Sequence, residues 1–64
     1  MPGCVLAEAR RLLGERAYVR PLCVDGWHLR EVGVVDPETG ALMMMGRGLT
    51  WPEALEAAVR RCVA

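Results

Sequence analysis

Six residue types are missing from this 64-residue chain: it has no lysine, serine, asparagine, glutamine, isoleucine or phenylalanine. Without serine, the lone His28 has no hydroxyl nucleophile of the usual kind to activate. It reads as a solvated histidine just past a hairpin turn rather than a proton shuttle. Without lysine, Gly46-Arg47-Gly48 is no ordinary phosphate-binding loop, and it reads as a strand-to-helix connection. Three cysteines are present, Cys4, Cys23 and Cys62, and no two of them form a Cys-x-x-Cys pair. A zinc site therefore has almost no support, and small buried thiols in a reducing compartment fit better. Metal ligation by Met43, Met44 and Met45 is excluded by geometry, since consecutive strand residues point to opposite faces.

Long apolar runs are also missing. No stretch approaches the roughly 18 residues of a membrane span, and no basic segment followed by an apolar run marks a secretory leader. The expected setting is the cytoplasm, with no membrane contact. Eight basic side chains, all arginine, balance eight acids, so the formal net charge is zero. No long-range field then draws in nucleic acid or an anionic lipid surface. The arginine bias, shared with alanine, glycine and proline, is that of GC-rich codons. Paired carboxylates at a hydrolytic spacing are absent as well. No cofactor, no metal and no enzymatic activity are expected.

What is present is apolar: 53% of the residues are hydrophobic. A single domain this short buries only about 60% of the surface its unfolded chain exposes. Such domains commonly need a disulfide, a metal or a second copy to be stable. The organisation follows from periodicity. Val5, Leu6, Ala9, Leu12 and Leu13 recur at helical spacing and predict a helix over about 3–16. The run Tyr18-Val19-Arg20-Pro21-Leu22-Cys23-Val24 then predicts a strand over 17–24, at a sheet edge because Pro21 cannot donate to a ladder. Asp25-Gly26 is a two-residue hairpin signal, leading into a strand over 27–35. Asp36-Pro37-Glu38-Thr39-Gly40 forms a second turn before a strand over 41–46, broken by Gly46-Arg47-Gly48. Thr50-Trp51-Pro52-Glu53 is a capping box with proline in the first turn of a helix over 51–63. Along that helix Ala54, Leu55, Ala58, Val59 and Cys62 make the apolar stripe, and Glu56 and Arg60 are four apart in the favourable order.

The chain is thus expected to be an α+β domain ordered α-β-β-β-α, with a three-stranded antiparallel meander and both helices on one face. The first turn opposes Val24 to Trp27, Leu22 to Leu29 and Arg20 to Glu31, the last a pair of opposite charges. If Asp36 opposes Ala41, then Val35 meets Leu42, Val34 meets Met43 and Val32 meets Met45. The more continuous set, Val19, Cys23, Val32, Val34, Met43 and Met45, is expected beneath the helices, with His28 and Arg30 at one end. Tyr18, Leu22, Val24, Trp27, Leu29, Val35, Leu42 and Met44, interrupted by Arg20 and Glu31, would then lie open. Two short helices can cover only one face.

An open face with Trp27 and Tyr18 on it exceeds what a lone globular chain normally exposes, and aromatics, Met and Arg favour interfaces. The expected function is a small protein-interaction module, a regulator or inhibitor of the kind phages and mobile elements encode. It acts as a homodimer or on a larger protein partner. Its candidate contact residues are Tyr18, Leu22, Trp27, Leu29 and Met44, with Arg20 and Arg30 giving polar specificity at the rim.

One resemblance bears on the alternative. The element order, Gly46-x-Gly48-x-Thr50 entering a helix that carries Ala54 and Ala58, and His28 after the first hairpin resemble a double-stranded-RNA-binding domain. The likeness is topological across the chain and motif-like only over residues 46–58. It implies recognition of duplex RNA by shape and phosphate contacts. That family sets lysines at the start of its last helix, where this chain has Trp51 and Pro52, so the function is not carried over. Nucleic-acid binding, as the alternative, would use Arg47, Arg60, Arg61 and the last helix's N-terminus.

Overall fold

A computed structural model describes the backbone of residues 2–63 and the side chains of residues 5–62. Helix α1 spans Pro2–Leu13, strands β1, β2 and β3 span Ala17–Val24, Trp27–Val35 and Leu42–Gly48, and helix α2 spans Trp51–Val63. The strands form one antiparallel sheet in the order β1-β2-β3. Both helices pack on one face of it, so the α-β-β-β-α meander is the architecture.

Local chemistry explains most boundaries. Helix α1 stops three residues sooner than its periodicity suggests, because Gly14 takes φ 101°. Its N–H donates to the Arg10 carbonyl at 2.8 Å, closing a left-handed C-terminal cap. Asp25 and Gly26 both have positive φ, as a type I′ turn demands. At the second turn the Asp36 carboxylate accepts from the Glu38 N–H at 2.8 Å, and Asp36 N–H donates to Ala41 O at 2.8 Å. Those turn amides hold the Asp36 carboxyl below its ordinary range, against a smaller opposing effect of desolvation. At α2, Thr50 Oγ1 accepts the Glu53 N–H at 3.3 Å and donates to the Glu53 carboxylate at 3.0 Å. Glu53 thus braces the cap through the threonine hydroxyl, a variant of the expected reciprocal box.

The register across β1 and β2 has Val24 opposite Trp27, Leu22 opposite Leu29 and Arg20 opposite Glu31. Between β2 and β3, Val35 meets Leu42 and Val34 meets Met43, as the turn implies. The next step departs from the expectation. Val32 pairs with Gly46 rather than Met45, because β3 carries an extra residue at a bulge opposite Val32 and Gly33. A bulge inverts which residues face which side beyond it. Gly46 and Gly48 therefore turn toward the helices, and Arg47 turns to the opposite face beside Glu31. The strand also continues through Gly48 instead of breaking at Gly46.

That inversion determines how α2 docks. A Cβ on Gly46 would lie 2.7 Å from the Ala54 carbonyl oxygen and 2.8 Å from the Ala57 carbonyl carbon. One on Gly48 would lie 2.7 Å from Glu53 Cβ. Glycine on the strand meets Ala54 and Ala58 on the helix, and backbones come within touching distance. The resulting core is Ala9, Ala17, Val32, Ala54 and Ala58, flanked by Leu13, Val19, Met45, Trp51 and Leu55.

Three of the residues expected in this core are not in it: Val34 is only partly buried and lies outside the cluster, and two others are in solvent. Met43 is 46% exposed and Cys23 is exposed. The cause is coverage: α2 lies over Gly46 and Gly48, whereas Met43 is at the far end of β3 and Cys23 is near the tip of the β1–β2 hairpin. Cys62 is exposed too, in the last turn of α2, so neither thiol is the buried hydrophobe expected. The side chain of Cys4 lies outside the described residues. Among the described residues no helix is long and apolar enough to cross a membrane.

Candidate functional site: the open sheet face

On the face away from the helices, β1 presents Tyr18, Arg20, Leu22 and Val24, and β2 presents Trp27, Leu29, Glu31, Gly33 and Val35. Strand β3 adds Arg47, Met44 and Leu42, and it ends opposite Arg30. The β1–β2 hairpin thus projects beyond the third strand. This projection leaves Val24 and Trp27 exposed on one side and Cys23 and His28 exposed on the other.

A row of charge crosses the middle of the sheet. Glu31 has Arg20 opposite it on β1 and Arg47 opposite it on β3. Arg20 Nε lies 3.2 Å from one carboxylate oxygen of Glu31, and an Arg20 terminal nitrogen lies 3.3 Å from the other. The Tyr18 hydroxyl donates to the same carboxylate. Tyr18 reaches it by lying across Gly33, where a Cβ would be 2.8 Å from Tyr18 Cε1. These neighbours leave Glu31 only 4% exposed on the uncovered face of the sheet.

The protonation chemistry follows from that enclosure. For Glu31, burial pushes the carboxyl upward, but the hydrogen bonds from Tyr18 and Arg20 and the charges of Arg20 and Arg47 outweigh it. Its pKa is lowered. For Tyr18, desolvation first, then the hydrogen bond to and charge of Glu31, push the phenol up to about 12 against a smaller opposing pull from Arg20. The arrangement therefore holds an ionised carboxylate and a neutral phenol across the whole physiological range.

Apolar surface lies at either end of this polar row. Val24, Trp27, Leu22 and Leu29 make one patch on the hairpin, with Trp27 62% exposed. Met44, Leu42 and Val35 make the other, against the β3 edge. The expected apolar face is thus two patches separated by Arg20, Glu31 and Arg47. Of the proposed contact residues, Tyr18, Arg20, Leu22, Trp27, Leu29 and Met44 share this face.

Arg30 does not, and its assignment to the rim is corrected. It lies on the helix side, 5.8 Å from the Trp51 ring centroid, and it donates to the Leu49 carbonyl at 3.0 Å and to His28 O at 3.4 Å. Its position two residues from Val32 on β2 dictates this, and its role is to tie the β3–α2 link to the sheet. The three nucleic-acid candidates are not brought together either. Arg47 faces away from the helices, whereas Arg60 and Arg61 are in the last turn of α2. Arg60 is engaged at 2.9 Å with Glu56. Sequence reasoning missed Arg47 as a neighbour of Glu31, since strict alternation along β3 hides it. His28 stands opposite Cys23, and both are exposed. Among the described residues no group of three or more His, Cys, Asp or Glu side chains is placed to hold a metal.

No protein-family model, curated protein or solved structure matches this chain.

Proposed function

We propose that this chain is a non-enzymatic protein-interaction module, a small regulator or inhibitor. It docks its open sheet face on an apolar partner surface in the cytoplasm. One observation carries the reading: apolar size is distributed inside out. Among the described residues the buried cluster is four alanines and Val32, with Leu13, Met45, Trp51 and Leu55 only partly buried against it, while Trp27, Leu42 and Met44 stand in solvent on the open face. A chain under pressure only to fold has no use for one of its two tryptophans at a hairpin tip. Trp27 is the anchor, with Leu22 and Leu29 beside it, because buried aromatics dominate binding energy at interfaces. Tyr18 is already committed to Glu31, so it contributes the flank of its ring rather than its hydroxyl. The central row carries two guanidinium groups to one carboxylate, and a partner carboxylate opposite Arg47 would complete it.

The test is Trp27→Ala. Partners captured by the tagged wild type from a native lysate are identified, and the purified partner is titrated with both proteins. The reading expects a loss of about 2 kcal/mol or more in binding, the size typical of an aromatic anchor. Equal affinity for the two proteins removes this face from consideration.

Nucleic-acid binding is the weaker reading. Arg47 is on the opposite side of the sheet from α2, and the zero net charge supplies little phosphate attraction. It expects an affinity that falls steeply with salt, and a titration against duplex RNA at two ionic strengths checks it.

A further inference from the structure

The β3 edge is a second apolar surface, distinct from the Trp27 patch, and it is built differently. Leu42, Met43 and Met44 are consecutive, so they point to alternating faces, yet they are 48%, 46% and 40% exposed. Exposure on both faces of one strand belongs to the edge itself, and a partner on the open face would leave Met43 uncovered. The outer edge of β3 is unpaired in the sheet order β1-β2-β3, so its backbone N–H and C=O groups are available to another strand.

The other edge is blunted. Strand β1 carries Pro21, which lacks an N–H, and the charge of Arg20. From Leu42 to Gly46, β3 has neither a charge nor a proline. An uncharged, apolar edge of this kind is a template for strand addition.

We infer that the β3 edge pairs antiparallel with the β3 edge of a second copy of this chain, joining two three-stranded sheets into one of six. Three observations make a second copy a fitting occupant. Around a twofold axis like residues meet near the axis, and the Leu42–Met44 segment puts no like charges opposite each other. The net charge is zero, so two copies do not repel at long range. The interior is also small: among the described residues the buried cluster is four alanines and one valine, with Leu13, Val19, Met45, Trp51 and Leu55 only partly buried around it. Among the described residues, Cys23 and Cys62 are free and no metal-ligand cluster exists. A domain of this size gains what it lacks from oligomerisation, and its own copy is the one partner always present. Methionine suits the seam, because its unbranched side chain repacks against an identical neighbour.

The bulge limits the extent of pairing. Beyond Met45 the strand bends, so the paired segment is Leu42–Met44 and the residues flanking it. Helix α2, docked over Gly46 and Gly48, leaves that segment free.

The test is light scattering on the size-exclusion peak of the full chain, wild type against Met43→Lys/Met44→Lys and against Trp27→Ala. The lysines put like charges opposite each other across the axis while occupying exposed positions. The wild type is expected at twice 7.0 kDa, the double-lysine variant at the monomer mass, and Trp27→Ala still dimeric. That last result separates this inference from the reading built on Trp27. A monomeric wild type at about 100 μM, well above the concentration where a micromolar dimer forms, overturns it. So does a double-lysine variant that remains dimeric, or a Trp27→Ala variant that dissociates. Should the lysine variant fail to fold by circular dichroism, amide exchange on the wild type decides the question. Protection of the Leu42–Met44 amides must rise with protein concentration, and concentration-independent exchange sinks the dimer.

Discussion

Glu31 has the most constrained chemistry in the molecule, and its predictions belong to single residues. A carboxylate 4% exposed is tolerated because one phenol and two guanidiniums surround it. Removing the Tyr18 hydroxyl takes away a hydrogen bond to an ionised acceptor, which is typically a loss of about 1.5–3 kcal/mol. Tyr18→Phe is expected to show that loss as a lower urea midpoint at pH 7 with unchanged slope. The signs of the pH effects differ for the two partners. The folded-state pKa of Glu31 lies below its ordinary 4.5. Its stabilising contribution is therefore complete above that value and is lost as pH falls through the folded pKa. The phenol of Tyr18 is raised from 10.0 to about 12. Its contribution is present below pH 10 and is lost as pH climbs toward 12. Glu31→Gln should flatten the acid limb of stability against pH, and Tyr18→Phe the alkaline limb. Urea titrations at pH 3–7 and pH 9–12 measure each.

At the scale of elements, β3 and α2 approach closely, with glycine facing helix backbone. A methyl group at Gly46 has no rotamer by which to escape, and the atoms it meets belong to the α2 main chain. Gly46→Ala should cost about 1–3 kcal/mol, the usual penalty for overpacking a tight contact, read from chemical denaturation. If Gly46→Ala is neutral, the helix does not lie where it is placed. Arg30 secures the same junction through the Leu49 carbonyl and the Trp51 ring. Arg30→Ala should lose about 1–2 kcal/mol, from one charge-assisted hydrogen bond and a partly exposed cation–π contact. Arg30→Lys should restore only part of it, because an ammonium cannot stack as a guanidinium does.

At the scale of the whole molecule, the balance between core and surface is the main fact. Among the described residues of this 64-residue chain, the only buried apolar side chains are those of alanines and one valine, while the larger ones are partly buried or exposed. If the β3 edges pair, folding and association are coupled, and the thermal midpoint depends on protein concentration. The midpoint is expected to rise over a hundredfold concentration range for the wild type. It should stay constant for Met43→Lys/Met44→Lys. A Trp27→Ala variant should keep the concentration dependence, because the hairpin patch lies outside the proposed β3 seam.

Much of the architecture is written in local patterns that act over a few residues. The Asp25-Gly26 turn settles the β1–β2 register, because positive φ at both positions allows one hairpin geometry, and Arg20 then opposes Glu31. The Asp36–Gly40 turn aligns Val35 with Leu42, and Thr50 with Glu53 starts α2. These are short-range interactions, so the amino-acid order alone specifies them. The bulge in β3 is different in kind. Nothing in Met43-Met44-Met45 marks an extra residue; the bulge is settled when Gly46 and Gly48 must face Ala54 and Ala58. That packing contact then sends Arg47 to Glu31, extending onto β3 the polar row that Arg20 and Glu31 already mark, and leaves Met43 in solvent. Strand alternation read by eye cannot foresee this, since one inserted residue inverts every face after it. Composition and turns determined the elements and their order; the close approach of one helix to two glycines decided which side chains the surface presents.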